Sequence, residues 1–320
     1  MTIVESDLAY NVLRILSEDA RLSMEGIGEK LGVSRQVVGR IVRKLQEKGI
    51  IRNYATLINA AAFQTYFVEF KTNPREPEIM ESLKRIPNVH ALDGVIGDFS
   101  LFAKIIAKNQ AEFARTLEQI DKFMTNSHFH VYRVINTIRC FKESGAMIAE
   151  EKPISISASD ETILQKIRLM PQKLNLSELA KQAQVGIAQS TLSKKLDKFL
   201  EMRLVRKYTI CVDPTVLGLQ TKFILRIKPL SLDQYTTIAG AIARLPEVID
   251  LYRTGEDFGL LAIVRTPDID VYNKFLQKLY QKVEIEDTHT VLVVQEWMPS
   301  ILPVYGNIKF DDYQDPKREK

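Results

Sequence analysis

The chain states one pattern twice, from Asp7 to about Glu143 and again from Asp160 to about Val304. Two copies of one unit imply two copies of its site. The stretch from Gly32-Val33-Ser34-Arg35 to Arg52-Asn53-Tyr54 returns from Gly186-Ile187-Ala188-Gln189 to Arg206-Lys207-Tyr208 at a constant spacing of 154 residues. Farther on, Ile86-Pro87-Asn88-Val89 leading to Asp98-Phe99-Ser100-Leu101 returns as Leu245-Pro246-Glu247-Val248 leading to Asp257-Phe258-Gly259-Leu260, now 159 residues apart. A period of this length is too long for a solenoid and points to duplication of a whole domain pair.

Size agrees with that reading. A chain of 320 residues with 45% apolar and 26% charged side chains is long enough for two to four ordinary soluble domains. No run of eighteen or more apolar residues occurs, so no membrane partner is expected. The opening Met1-Thr2-Ile3-Val4-Glu5-Ser6-Asp7 lacks the basic and apolar regions of a signal peptide, and a cytoplasmic protein is expected. Cys140 and Cys211 fall at unrelated repeat positions and read as reduced, half-buried thiols.

The net charge of +4 matters less than its placement. From Gly28 to Tyr54 there are seven basic residues against two acidic ones, and the same balance holds from Ala180 to Tyr208. A local basic patch on a near-neutral body is the electrostatic footprint of a DNA-binding module.

Local patterning places those patches on a motif. Leu8, Val12, Leu13, Ile15 and Leu16 mark an amphipathic helix, Ser23 opens a short second helix, and Gly32 ends it. Ser34 then caps a third helix whose buried stripe is Val38, Ile41, Val42 and Leu45. That stripe leaves Arg35, Gln36, Gly39, Arg40 and Arg43 on one outward face. The alternating run Ile50–Ile58 follows as a strand of a β-wing. The second copy repeats the plan with Ile163 and Ile167, then Leu176–Ala183, Ala188–Glu201 and Leu204–Val212. In a winged helix-turn-helix the second helix of the motif enters the major groove. The candidate DNA-binding residues are therefore Ser34, Arg35, Gln36, Gly39, Arg40, Arg43, Lys44 and Arg52 in the first copy. In the second they are Gln189, Ser190, Ser193, Lys194, Lys198, Arg206 and Lys207. Arginine can bond guanine and glutamine adenine in bidentate fashion, whereas a solvated helix face would explain one basic helix in isolation. Gly39, costly in mid-helix, fits either close approach to DNA or helix packing.

Beyond the wing the pattern becomes short strands around amphipathic helices. Gln64–Thr72, Val89–Gly94, Leu101–Ala107 and Phe129–Ile138 read as strands, with helices over Glu78–Ile86 and Ala111–Phe123. The second copy offers Lys222–Lys228, Val248–Thr254, Leu260–Arg265 and Thr288–Trp297, with helices over Leu232–Arg244 and Ile269–Lys282. The order βαββαβ is ferredoxin-like. The expected α+β chain is thus a winged helix-turn-helix over 1–60, a ferredoxin-like domain over 61–144, a linker over 145–159, a second helix-turn-helix over 160–213, a second ferredoxin-like domain over 214–305 and a polar tail over 306–320.

Through Leu31-Gly32-Val33-Ser34, Gly49-Ile50-Ile51 and Pro246-Glu247-Val248-Ile249 leading to Arg253-Thr254-Gly255-Glu256, the whole chain resembles the Lrp/AsnC, or feast-famine, family in two fused copies. The resemblance implies a transcription regulator whose ferredoxin-like domain dimerises through its sheet and binds amino acids or related molecules, with Gly97 and Gly255 opening the effector loops. The family's aspartate after the loop aromatic is replaced by Ser100 and by Gly259, leaving Asp98 and Asp257 to supply a carboxylate. His128 and His130 align with Thr288 and Thr290, alternating positions that share a sheet face and are expected to line an interface pocket. Two imidazoles without a third ligand make a poor metal site, and neither metal nor cofactor is expected.

The expected partners are double-stranded DNA, an amino-acid effector, and a second copy or the other half of the same chain. Two other readings compete. Siroheme decarboxylases share this plan and sometimes occur as fused pairs, but the boundary from Tyr54 to Phe70 carries no histidine and no nucleophile–base pair is evident, so no enzyme is expected. A DNA-architectural protein with little sequence choice would differ from a regulator in its competitor dependence.

Overall fold

The computed structural model describes residues 3–59, 63–73, 75–148, 157–167, 169–170 and 189–304. In chain order its elements are α1 (Ile3–Glu18), α2 (Met24–Leu31), α3 (Arg35–Glu47), β1 (Ile51–Ile58), β2 (Gln64–Lys71), α4 (Pro77–Arg85), β3 (Val89–Ile96), β4 (Leu101–Ala107), α5 (Gln110–Met124), β5 (Val131–Glu143) and β6 (Ala146–Met147). There follow α6 (Ala158–Ile167), β7 (Leu169–Met170), α7 (Gln189–Glu201), β8 (Val205–Val212), β9 (Thr221–Pro229), α8 (Tyr235–Ala243), β10 (Val248–Thr254), β11 (Leu260–Thr266), α9 (Ile269–Lys282) and β12 (Ile285–Glu296). They form two compact units, each discontinuous in sequence: 1–62 with 153–218 and 300–320, and 63–152 with 219–299. The second copy's expected helix over Leu176–Ala183, most of the linker and the polar tail lie outside the described residues.

In the first unit the helices α1–α3 and the strands β1 and β8 share one core. Ala9, Val12, Leu13 and Leu16 of α1 pack against Val38, Ile41, Val42 and Leu45 of α3, and Ile210 and Val212 of β8 complete the same core. The strand after α3 does not close on a neighbouring hairpin, as a local wing would. Instead β1 runs antiparallel to β8 from Ile51 opposite Val212 to Ile58 opposite Val205, with β7 on its other edge. The reason is burial: Tyr54, Ala55 and Leu57 are apolar and covered, so β1 pairs with the strand that brings a matching apolar set. Side chains tie the same elements, as when the Thr209 hydroxyl donates to the Ser17 carbonyl at 2.8 Å.

In the second unit the order β2-α4-β3-β4-α5-β5 is followed by β9-α8-β10-β11-α9-β12. Tyr66 stacks on Phe113 and Phe223 on Tyr272, each pair with ring centroids 3.6 Å apart, fixing which residues of the two halves correspond. The strands run β10-β11-β9-β12-β3-β4-β2-β5, and a further pairing of β5 with β10 closes the ring. Closure removes the open edges that two separate sheets would leave. The strands β2, β4, β9, β10 and β11 are buried along most of their length, whereas β5 and β12 keep exposed residues such as Ile138 and Val294. Tyr66, Val68 and Phe70 meet Leu83 and Ile120 on the helix side, while Phe67 meets Tyr252 and Leu261 on the inner side.

The inner face also holds charge. Lys222 Nζ donates to Asp93 at 2.7 and 2.9 Å and to Glu296 at 3.3 Å, and Lys104 Nζ donates to Glu143 at 2.7 Å. Buried charges persist only when paired in this way. Both cysteines are free thiols. Among the described residues no helix is long and apolar enough to cross a membrane.

Candidate nucleic-acid interface and effector cavity

The DNA-facing candidates are positioned by two caps and a left-handed turn. The Ser23 hydroxyl accepts the Gly26 N–H at 3.0 Å and starts α2, while Gly32, at φ 67°, ends it by donating its N–H to the Gly28 carbonyl. The Ser34 hydroxyl then accepts from the Val37 N–H at 3.4 Å, so this candidate reader is occupied in capping α3. With Val38, Ile41, Val42 and Leu45 buried, Arg35, Gln36, Arg40 and Arg43 stand exposed and Gly39 and Lys44 half-exposed on the opposite side. Among the described residues Arg35, Arg40 and Arg43 make no ion pair, which leaves three guanidiniums available to phosphate or base edges. A Cβ at Gly39 would meet nothing within 4 Å, so no packing among the described residues calls for glycine there.

Arg52 belongs elsewhere. Its guanidinium is hydrogen-bonded to Asp213, whose side chain is 2% exposed and also accepts the Thr215 N–H at 2.8 Å. Removing the arginine would strand a buried carboxylate, so its role is to tie β1 to the end of β8.

The second basic face is weaker. On α7, Ser190, Lys194 and Lys198 are exposed and Ser193 half-exposed, while the Gln189 side chain lies outside the described residues. Asp197, 154 residues after Arg43, accepts from Arg21 Nη1 at 2.8 Å, and that guanidinium lies 4.7 Å over the Tyr208 ring. Lys195 donates to Asp160 at 2.5 Å. Lys207 lies 4.0 Å from Glu18, and Arg206 is half-buried beside it. The exposed sides of α3 and α7 thus carry unequal charge.

In the second unit a cavity of about 370 Å³ opens where the loops after β3 and β10 meet residues of β2, β5, β9 and β12. Gly97, Asp98, Asp257 and Thr290, all expected to bind an effector, are in its walls. Five others are not. The Ser100 hydroxyl bonds with the Thr72 hydroxyl and accepts the Thr72 N–H, both at 2.8 Å, and so is committed to the end of β2. Gly255 donates its N–H to the Asn136 carbonyl at the β5–β10 seam. The Thr288 hydroxyl pairs with Tyr280 at 2.9 Å. His128 and His130 are exposed in the turn before β5, with the His128 N–H donated to Glu76.

The strand register sets which residues of the two halves correspond. Glu69 pairs across to Arg133 and Arg226 to His289, and the stacked rings make Glu69 and Arg226 equivalent. Arg133 therefore corresponds to His289, and the alignment of His128 with Thr288 was off by four residues.

The walls hold a charged chain that sequence patterning missed. Glu69, 4% exposed, accepts from Arg133 Nε at 2.8 Å and from Arg226 Nη2 at 2.5 Å. Glu256 lies 3.7 Å from Arg133 Nε and 3.3 Å from Arg226 Nε. Arg133 stacks over Phe99 at 5.1 Å, and Arg226 Nη1 approaches His289 Nδ1 at 3.4 Å. The available signal was an ionisable residue in the middle of each otherwise apolar strand, Glu69 within Tyr66–Phe70 and Arg226 within Phe223–Ile227. Among the described residues no group of three or more His, Cys, Asp or Glu is placed to hold a metal ion.

Known proteins share both parts. Residues 6–52 match the family profile for a winged helix-turn-helix DNA-binding domain, and residues 222–302 match that for the Lrp/AsnC ligand binding domain. The HTH-type transcriptional regulator LrpA of Pyrococcus horikoshii is 35% identical over 107 residues, covering 32% of this chain and 76% of that protein. The HTH-type transcriptional regulator FL11 of the same organism is 28% identical over 142 residues, covering 44% and 91%, and the leucine-responsive regulatory protein of Rhizobium meliloti is 29% identical over 149 residues, covering 44% and 94%. Among solved structures the siroheme decarboxylase NirDL aligns with a TM-score of 0.63 over 92% of this chain and 93% of that one, at 14% identity, a likeness of fold alone. With a helix-turn-helix at its start, the Lrp/AsnC ligand-binding domain toward its end, and LrpA among its relatives, the chain belongs to the Lrp/AsnC family of transcription regulators.

Proposed function

We propose that this protein is a sequence-specific DNA-binding transcription regulator that responds to a small effector held in the second unit. The observation that carries the reading is α3, where a capped helix buries one stripe and presents Arg35, Arg40 and Arg43 unpaired on the other. Such a face supplies both phosphate attraction and bidentate contacts to base edges. The relatives are named as transcriptional regulators.

The chain is a tandem fusion of two family units whose halves take each other as partners. Supporting this are the repeat spacings of 154 and 159 residues, the βαββαβ order found twice, and the relatives FL11 and the Rhizobium meliloti regulator, each of which covers less than half of the chain while being spanned almost whole. The pairings β3–β12 and β5–β10, and in the first unit β1–β8, are the contacts that two separate chains would otherwise make. A cytoplasmic, non-membrane regulator follows, with the whole chain as the DNA-binding protomer.

The fold shared with NirDL does not carry an enzymatic reading. The cavity walls hold four carboxylates, Glu69, Asp98, Glu256 and Asp257, against two guanidiniums that are already paired with Glu69 and Glu256, an excess of negative charge that disfavours a polycarboxylate tetrapyrrole. Selection of bound genomic fragments tests the regulator: a discrete motif recovered in the presence of excess competitor DNA is expected, and recovery of random fragments would leave an architectural protein as the better account.

A further inference from the structure

We infer that the buried charges of the closed ring are a pairing code, which joins the first half of the second unit (β2–β5) to the other half (β9–β12) and excludes the pairing of two like halves. The inference rests on the tandem reading and names the partner that each half's sheet edges accept. The edges β3 and β5 of one half meet β12 and β10 of the other. Because both halves follow one βαββαβ plan, backbone geometry alone would let the same two seams form between two first halves or two second halves.

The strand registers show what each arrangement buries. Asp93 lies directly opposite Glu296 at the β3–β12 seam, and Tyr252 directly opposite Cys140 at the β10–β5 seam. With Tyr66 matched to Phe223, the registers make Asp93 equivalent to Tyr252, Lys222 to Thr65, Arg265 to Ile106 and Glu296 to Cys140. The β3–β12 seam therefore holds two carboxylates and two cations. Lys222 Nζ donates to Asp93 at 2.7 and 2.9 Å and to Glu296 at 3.3 Å, and Arg265 also donates to Glu296. In the same places the β10–β5 seam carries a phenol, a hydroxyl, an apolar side chain and a thiol. The charges beside it, Lys104 and Glu143, pair at 2.7 Å, and the Tyr252 hydroxyl donates to Glu143 at 3.2 Å.

Like pairing would unbalance both seams. Two first halves would put Asp93 where Tyr252 stands, a second carboxylate beside Glu143 with no added cation. Two second halves would put Tyr252 where Asp93 stands, leaving Lys222 and Arg265 with Glu296 alone. A net charge shut inside each seam is what the unlike pair avoids. The cavity wall repeats the device, because Glu69 and Arg226 occupy equivalent positions and Arg226 Nη2 donates to Glu69 at 2.5 Å. Two like halves would bring Glu69 against Glu69, each with only the exposed Arg133 of its own half, or Arg226 against Arg226, each with only Glu256. Neutral side chains in place of such pairs keep the fold and remove the selection.

Disulfide trapping in the full chain reads the pairing. Val95 lies opposite Val293 across one seam, and Thr137 opposite Thr254 across the other. Val95→Cys with Val293→Cys should cross-link the two halves, and failure there would sink the tandem pairing itself. Val95→Cys with Thr137→Cys places the thiols on opposite edges of one half, so they meet only when two first halves pair and give a covalent dimer on a non-reducing gel. After refolding from urea with a mild oxidant, that variant should form no more dimer than either single-cysteine variant. Adding Glu69→Gln, Asp93→Asn, Lys222→Met and Arg226→Met should raise the dimer about tenfold or more, with an unchanged circular dichroism spectrum. If the fourfold variant fails to fold, neutralising Asp93 with Lys222 and Glu69 with Arg226 separately serves instead. Dimer formed with the charges intact, or none gained when they are neutralised, would overturn the code while leaving the pairing of the halves in place.

Discussion

Replacing Lys222 by methionine should destabilise the protein by about 3–4 kcal/mol at pH 7, with a deficit that depends on pH in a defined direction. Lys222 and Asp93 have side chains 6% and 3% exposed and lie 2.7 Å apart, with Glu296 3.3 Å from the same ammonium group. Methionine fills the aliphatic volume, so the loss is electrostatic: Asp93 is left buried without its cation. Breaking such a pair by removing one partner costs about 3–5 kcal/mol. Asp93 can limit that cost by taking up a proton, which from an ordinary carboxyl pKa near 3.9 costs about 4 kcal/mol at pH 7, so the penalty is capped there. Burial already raises the Asp93 pKa above its ordinary value against the pull of Lys222, and without the lysine it rises further. A folded-state pKa above the unfolded one means that the folded variant binds a proton the unfolded chain releases. The deficit relative to the parent should accordingly be small near pH 4, grow as pH rises through the folded pKa, and be largely relieved by adding Asp93→Asn. Urea unfolding followed by Trp297, the single tryptophan and part of the second unit, measures it across pH 4.5–7.5 on the order of the window set by these values. A deficit below about 1 kcal/mol at pH 7, or one that ignores pH, would refute the reasoning.

Arg40→Ala should weaken operator binding about tenfold or more, with the salt slope falling by about one if the contact is to phosphate, and unchanged affinity in a salt titration would remove α3 as the reader. Because Arg43 is matched by Asp197 and Arg35 by Gln189, the operator should be asymmetric, and a perfect palindrome from binding-site selection would contradict unequal reading heads. Burial pushes the Cys211 thiol up to about 12 and the Cys140 thiol well above its ordinary value, so neither should react with iodoacetamide in the native protein at pH 8, while both should react in denaturant. Rapid labelling of native protein would show that one of them is reachable as thiolate.

What the sequence by itself determined was everything that depends on neighbours along the chain. The Ser23 and Ser34 caps, the Gly32 turn and the buried stripe of α3 all follow from positions within one or two helical turns, and so does the outward set Arg35, Gln36, Arg40 and Arg43. The strands β4 and β10 and the helix α9 have the bounds that patterning assigns, because turns and charged residues mark their ends locally.

What only the tertiary structure decided was the fate of charges whose partners are far away in sequence. Arg52 reads as a DNA contact until Asp213, 161 residues later, is placed against it. Glu69 and Arg226, 157 residues apart, show no local sign of meeting and form the buried centre of the cavity wall. That His128 and His130 stand outside the cavity follows only from the pairing of β2 with β5 and of β9 with β12. A strand's pattern encodes which of its faces is buried but not which strand lies beside it. Register across a closed ring of strands is set by packing between elements, and with it the place where two loops bring Asp98 and Asp257 to one cavity.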